Sequence, residues 1–122
     1  MQFILYSTDQ PEPSGPPSLE MLAELGKLTE ESKQAGILVT TGGVSPKGTR
    51  VRRTGDKFSV TDGPFIEAKE LMGGFAVINV KSLDEAIAWA KRFRDIVGEG
   101  TTEICPVMFP EDFAAAAGAG GQ

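Results

Sequence analysis

The residues best able to do chemistry fall together in Thr61-Asp62-Gly63-Pro64-Phe65-Ile66-Glu67-Ala68-Lys69-Glu70. Gly63 can take a positive φ and Pro64 locks its own, so this turn sets the directions of the Asp62 carboxylate and the Phe65 ring. In a helical turn that follows, Glu67 and Glu70 are i,i+3 neighbours on one face. Carboxylates that share a pocket split their pKa values, which makes one an acid and another a base. The same residues also suit a plainer arrangement, with Asp62 capping the next turn through backbone N–H groups and both glutamates solvated.

A basic stretch lies just upstream. Lys47, Arg50, Arg52, Arg53 and Lys57 put five of the 12 basic residues into eleven positions, with Asp56 the only acid among them. Arg50 and Arg52 share a strand parity and could hold a carboxylate or phosphate in a bidentate grip. They could equally balance Asp62, Glu67 and Glu70 in an internal network. Tyr6 ends an apolar N-terminal run, where its hydroxyl could orient a substrate or simply stay wet at the edge of the core. The single Cys105 reads as a small hydrophobe, because no neighbour in sequence would lower its pKa. The chain contains no histidine, which removes the usual triads and most zinc sites. A carboxylate-only Mg²⁺ or Ca²⁺ site needs no histidine, but no pattern demands a metal or a cofactor.

The elements that must position these residues follow from periodicity. Phe3–Tyr6 reads as a strand, and 9–17, with four prolines and one glycine in nine residues, as a loop. Ser18 caps a helix in which Met21, Leu22, Leu25 and Leu28 recur at helical spacing up to Gly36. Ile37–Thr40 is a second strand, with Gly42-Gly43 as a turn. The segments 49–53 and 57–61 flank Gly55-Asp56 as a hairpin. Gly73-Gly74 then precedes the strand Phe75–Val80. Ser82 and Glu85 form a capping box that opens a helix with Leu83, Ala86, Ile87, Ala90 and Phe93 on one face. Glu103–Phe109 closes the plan as a strand that holds Pro106 at a sheet edge. The order β-α-β, hairpin, β-α-β is the split βαβ plan of a ferredoxin-like α+β domain over 1–109. Residues 110–122, rich in alanine and glycine, are expected to be a disordered tail.

Both parities of the first strand are apolar, as are both of Phe75–Val80. Two helices cover one face of such a sheet, so the other face calls for a second copy, and a homodimer is expected. At 122 residues the chain is one domain of ordinary size. Its net charge of -5 and pI near 4.7 disfavour nucleic acid as a partner. No apolar stretch approaches the roughly 18 residues of a membrane span, and a soluble cytoplasmic protein is expected.

Thr49-Arg50-Val51-Arg52, the run Thr61 to Phe75, Asp84–Ala90 and Glu103–Val107 stand in the same order as in the YCII-related family. Together they closely resemble its Asp-Gly-Pro-Phe subgroup, from Met1 to about Phe109. The resemblance implies a dimeric α/β barrel. It also implies catalysis by a His-Asp pair, of which this chain keeps only Asp62. The subgroup usually has arginine where this chain has Cys105. Two functional readings result. In the first, an acidic or carbonyl-containing metabolite binds in a pocket lined by Tyr6, Arg50, Arg52, Phe65, Glu67 and Glu70, with Asp62 as the proton-transfer group. In the second, which follows a label common in the subgroup, the chain is a non-catalytic regulatory module with a transcription-related protein partner.

Overall fold

The computed structural model describes residues 1–8, 17–44, 47–63 and 74–120. Its elements are β1 (Gln2–Thr8), α1 (Leu19–Gln34), β2 (Leu38–Gly43), β3 (Thr49–Thr54), β4 (Lys57–Asp62), β5 (Gly74–Asn79), α2 (Leu83–Val97), β6 (Thr101–Pro106) and α3 (Pro110–Gly120). Four strands make an antiparallel sheet in the order β2-β5-β1-β6, while β3 and β4 pair separately. This is the expected α+β arrangement, with a hairpin set into a ferredoxin-like sheet. Pro106 pairs with Phe3 at the end of the edge strand β6, where its missing N–H costs no ladder bond.

Both main helices start where their caps stand. The Ser18 hydroxyl accepts from the Met21 N–H at 3.1 Å, and the Ser82 hydroxyl from the Glu85 N–H at 3.2 Å. Glu85 reaches back to the Lys81 N–H at 3.0 Å, so the reciprocal half of the box lands one residue early. Strand alternation then divides the sheet. Phe3, Leu5 and Ile78 face the helices and form the core with Val80, Ala86 and Ala90. The small side chains of Ala86 and Ala90 let α2 approach the sheet closely. Ile4, Tyr6, Phe75, Val77 and Cys105 occupy the opposite parity and are half-buried. No described helix packs extensively over that face.

Three details differ from the sequence reading. Gly42 and Gly43 continue β2 instead of turning, because Gly42 pairs with Phe75 and Gly43 with Gly74. The Phe75 ring lies across the bare Gly42 backbone: a Cβ there would sit 3.3 Å from it. The last strand starts at Thr101 and stops at Pro106, a shift toward the N-terminus made by pairing with β1 as far as Thr8. The tail expected to be disordered is described as helix from Pro110 to Gly120. Local chemistry accounts for its start: proline suits the first helical position, the Asp112 carboxylate accepts from the Phe109 N–H at 2.8 Å, and the alanines that follow are the best helix formers. No described helix is long and apolar enough to cross a membrane.

Candidate functional site

A cleft of about 300 Å³ opens between the sheet and the two long helices. Leu5 and Ser7 of β1, Ala76 and Ile78 of β5, Leu38 and Thr41 of β2, and Thr102 of β6 make its floor. Leu25, Leu28, Thr29 and Ser32 of α1 form one wall, and Trp89, Ala90 and Phe93 of α2 the other. The α1 wall has a simple origin in sequence. Thr29 and Ser32 stand four residues after Leu25 and Leu28, so the apolar stripe of the helix ends in two hydroxyls on the same face. Ser7 does the same on β1, continuing the inward parity of Phe3 and Leu5.

The hydroxyls are held in defined states. Thr29 donates to the Leu25 carbonyl at 2.8 Å, Ser32 to the Thr29 carbonyl at 2.8 Å, and Thr41 to the Phe75 carbonyl at 2.9 Å. Each has spent its proton on the backbone and offers only lone pairs to a ligand. Thr102 Oγ1 is buried and finds no partner among the described residues. It is a hydroxyl able to donate to a ligand carbonyl or carboxylate. Trp89 is fixed from behind by the Arg92 guanidinium, 4.9 Å from the ring centroid, and Arg92 also pairs with Glu31 of α1. That hydrogen bond holds the Glu31 carboxyl below its ordinary range. The two helices are thereby tied together beside the cleft mouth.

The residues singled out from sequence divide three ways. Tyr6 borders the cleft through β1, but strand alternation sends its ring to the other face of the sheet, beside Cys105 and Glu103. A hydrogen bond to Cys105 and the nearby charge of Cys105, then burial and Glu103, push its phenol above the usual value. Arg50, Arg52 and Asp62 stand on the β3–β4 hairpin, exposed, and do not line the cleft. Asp62 accepts from the Thr49 hydroxyl at 3.0 Å. Phe65, Glu67 and Glu70 lie outside the described residues. Among the described residues no group of three or more Cys, Asp or Glu side chains could hold a metal ion, and no charged side chain lines the cleft.

Sequence reasoning missed Ser7, Thr29, Ser32 and Thr102, and took Trp89 as packing or partly exposed. A polar residue on an inward parity was the available signal. Thr102 supports a direct test. A buried hydroxyl without a partner costs about 1–3 kcal/mol, and valine has nearly its shape and suits a strand. Thr102→Val is therefore expected to raise the denaturant midpoint of the ligand-free protein, with an unchanged m-value, in urea unfolding followed by circular dichroism.

No curated protein matches the sequence. Among solved structures, 5-chloro-2-hydroxyhydroquinone dehydrochlorinase from Burkholderia phenoliruptrix AC1100, in complex with 2,5-dihydroxybenzoquinone, is similar with a TM-score of 0.50. The similarity covers 91% of this chain and 97% of that one at 16% sequence identity, a likeness of fold. Residues 1–110 match the YCII-related domain, and the chain belongs to that family.

Proposed function

We propose that the chain binds a small acidic or carbonyl-containing metabolite with an apolar, planar body in the cleft between sheet and helices; Asp62, which does not line that cleft, is proposed as the proton-transfer group on the strength of its sequence signature alone. The cleft itself carries this reading. Its volume sits at the lower end of small-molecule sites, its walls are aromatic and aliphatic, and a few hydroxyls give it orientation. Thr102 supplies the donor that a carbonyl or carboxylate oxygen needs. Asp62 ends β4, and the chain that leaves it returns at Gly74, which borders the cleft. Phe65, Glu67 and Glu70 belong to that connection, and Arg50 and Arg52 to the strand beside Asp62. The signature Asp62-Gly63-Pro64-Phe65 supports membership of the Asp-Gly-Pro-Phe subgroup. The apolar open face of the sheet supports pairing of two copies into a dimeric barrel.

The test is an NMR titration of the full chain with aromatic carboxylates, 2-keto acids and quinones, 2,5-dihydroxybenzoquinone among them. Amide shifts clustered at Ser7, Ser32 and Thr102 are expected. Shifts confined to the hairpin, or none across the panel, would overturn the cleft reading and favour the non-catalytic regulatory module. For any compound that is converted, Asp62→Asn is expected to keep binding within about threefold and to lose conversion by about 10²-fold or more. Conversion at the wild-type rate removes Asp62 from the chemistry.

A further inference from the structure

Two walls of the cleft are joined through charged side chains that lie outside it. Trp89 of α2 lines the cleft, and the Arg92 guanidinium lies over its ring, 4.9 Å from the centroid. The two residues stand three positions apart, the spacing at which helix side chains meet. Arg92 also pairs with the Glu31 carboxylate of α1, across the gap between the helices. Glu31 directly precedes Ser32, which lines the opposite wall. The contacts therefore run from one wall to the other in the order Ser32, Glu31, Arg92, Trp89.

Among the described residues no charged side chain lines the cleft itself, yet its Trp89 wall rests on a charge pair. The side chains of Arg92 and Glu31 are 49% and 56% exposed, so water and salt reach them. A pair this exposed contributes little to global stability. It can still hold two side chains in one geometry, and here one of them covers an aromatic wall of the site.

We infer that the Glu31–Arg92 pair is a salt-sensitive latch on Trp89. Arg92 is a positioning residue that holds the indole against the cleft, and Glu31 acts through Arg92. The inference rests on the cleft as the binding site and adds its regulation: ionic strength sets one wall of a site whose described lining is uncharged. Glu24, Lys27 and Asp95 are the other charged residues of the hollow that Arg92 lines between the helices. Glu24 and Asp95 offer the guanidinium replacement carboxylates, so Glu31→Gln is expected to loosen Trp89 less than Arg92→Met does.

Trp89 is the single tryptophan of the chain, so its fluorescence reads the latch without any ligand. Quenching by acrylamide, which is uncharged, is expected to be at least about 1.5-fold stronger in Arg92→Met, where a stem of similar length remains but no cation holds the ring. Wild-type quenching is expected to climb toward the variant's value as NaCl rises to about 1 M, where the Debye length is about 3 Å, while the variant stays flat. Glu31→Gln/Arg92→Met is expected to match Arg92→Met alone. Urea midpoints stay close to wild type, which separates positioning from a structural role. In an NMR titration, chromone, an uncharged planar carbonyl compound, is expected to bind Arg92→Met about two- to fivefold more weakly than wild type. Equal quenching in wild type and Arg92→Met overturns the inference, as does a salt response that persists in the variant or equal affinity for chromone. A urea midpoint that falls in step with the quenching change also overturns it, because the pair is then a structural brace. If no compound binds the wild type, the cleft reading fails and the quenching results alone decide the latch.

Discussion

Ser32→Phe is expected to abolish binding in the cleft while the fold persists. Ser32 is buried at the end of α1, with its hydroxyl bonded back to the Thr29 carbonyl and its side chain against the cleft. A phenyl ring there occupies space that is empty in a cavity of about 300 Å³. The protein itself gains apolar contacts with Leu28 and Trp89, and overpacking costs about 1–3 kcal/mol at most sites. A ligand has no such compensation. Its affinity is expected to fall at least 100-fold, equivalent to about 2.8 kcal/mol, in calorimetry with any compound found by NMR. Ser32→Ala is the control, since it leaves the space open and removes only the hydroxyl. If Ser32→Phe binds as tightly as wild type, the ligand sits elsewhere.

Phe3→Ala is expected to be the most damaging single truncation. Phe3 is 2% exposed and is the largest fully buried side chain of the described core. It lies on the central strand β1, between β5 and β6, beneath Ala86 and Ala90 of α2. Removing the ring loses transfer free energy and leaves a cavity that four paired strands cannot collapse into, about 3–5 kcal/mol. Against a total stability of about 5–15 kcal/mol, that lowers Tm by roughly 10–20 °C in a scanning calorimeter. Phe113→Ala, with the same chemistry at 61% exposure, is expected to change the stability of one chain by less than about 0.5 kcal/mol. Equal losses for the two would contradict the core as described.

How far the fold was legible depends on the kind of signal. Ser18 and Ser82 marked both helix starts because a cap is a bond between residues three apart, which the sequence states directly. The sheet order followed from connectivity and from Pro106, whose missing N–H restricts it to an edge. Gly42-Gly43 misled because glycine pairs suit turns locally, whereas pairing with Phe75 and Gly74 of the neighbouring strand carries both on as part of β2. The tail misled in a similar way: its glycines argued against helix, while Pro110 and Asp112 together began one.

The candidate site was far less legible. Asp62, Arg50 and Arg52 were conspicuous because charge and turn residues stand out in a list, and they proved to share a hairpin. The cleft instead joins Ser7, Ser32, Trp89 and Thr102 from β1, α1, α2 and β6. Each alone reads as a routine hydroxyl or a packing aromatic.

By itself the sequence determined the local geometry: two capped helices, alternating strands, a charged hairpin, and an inventory without histidine that leaves proton transfer to carboxylates, the Tyr6 phenol, the Cys105 thiol and lysines. These are properties of residues within a few positions of one another. Only the tertiary structure decided which face of the sheet is covered, that Tyr6 turns its ring away from the cleft, and that a buried Thr102 hydroxyl is left without a described partner. Those outcomes depend on strand register and helix packing, where residues about a hundred positions apart meet, and no local pattern encodes that meeting.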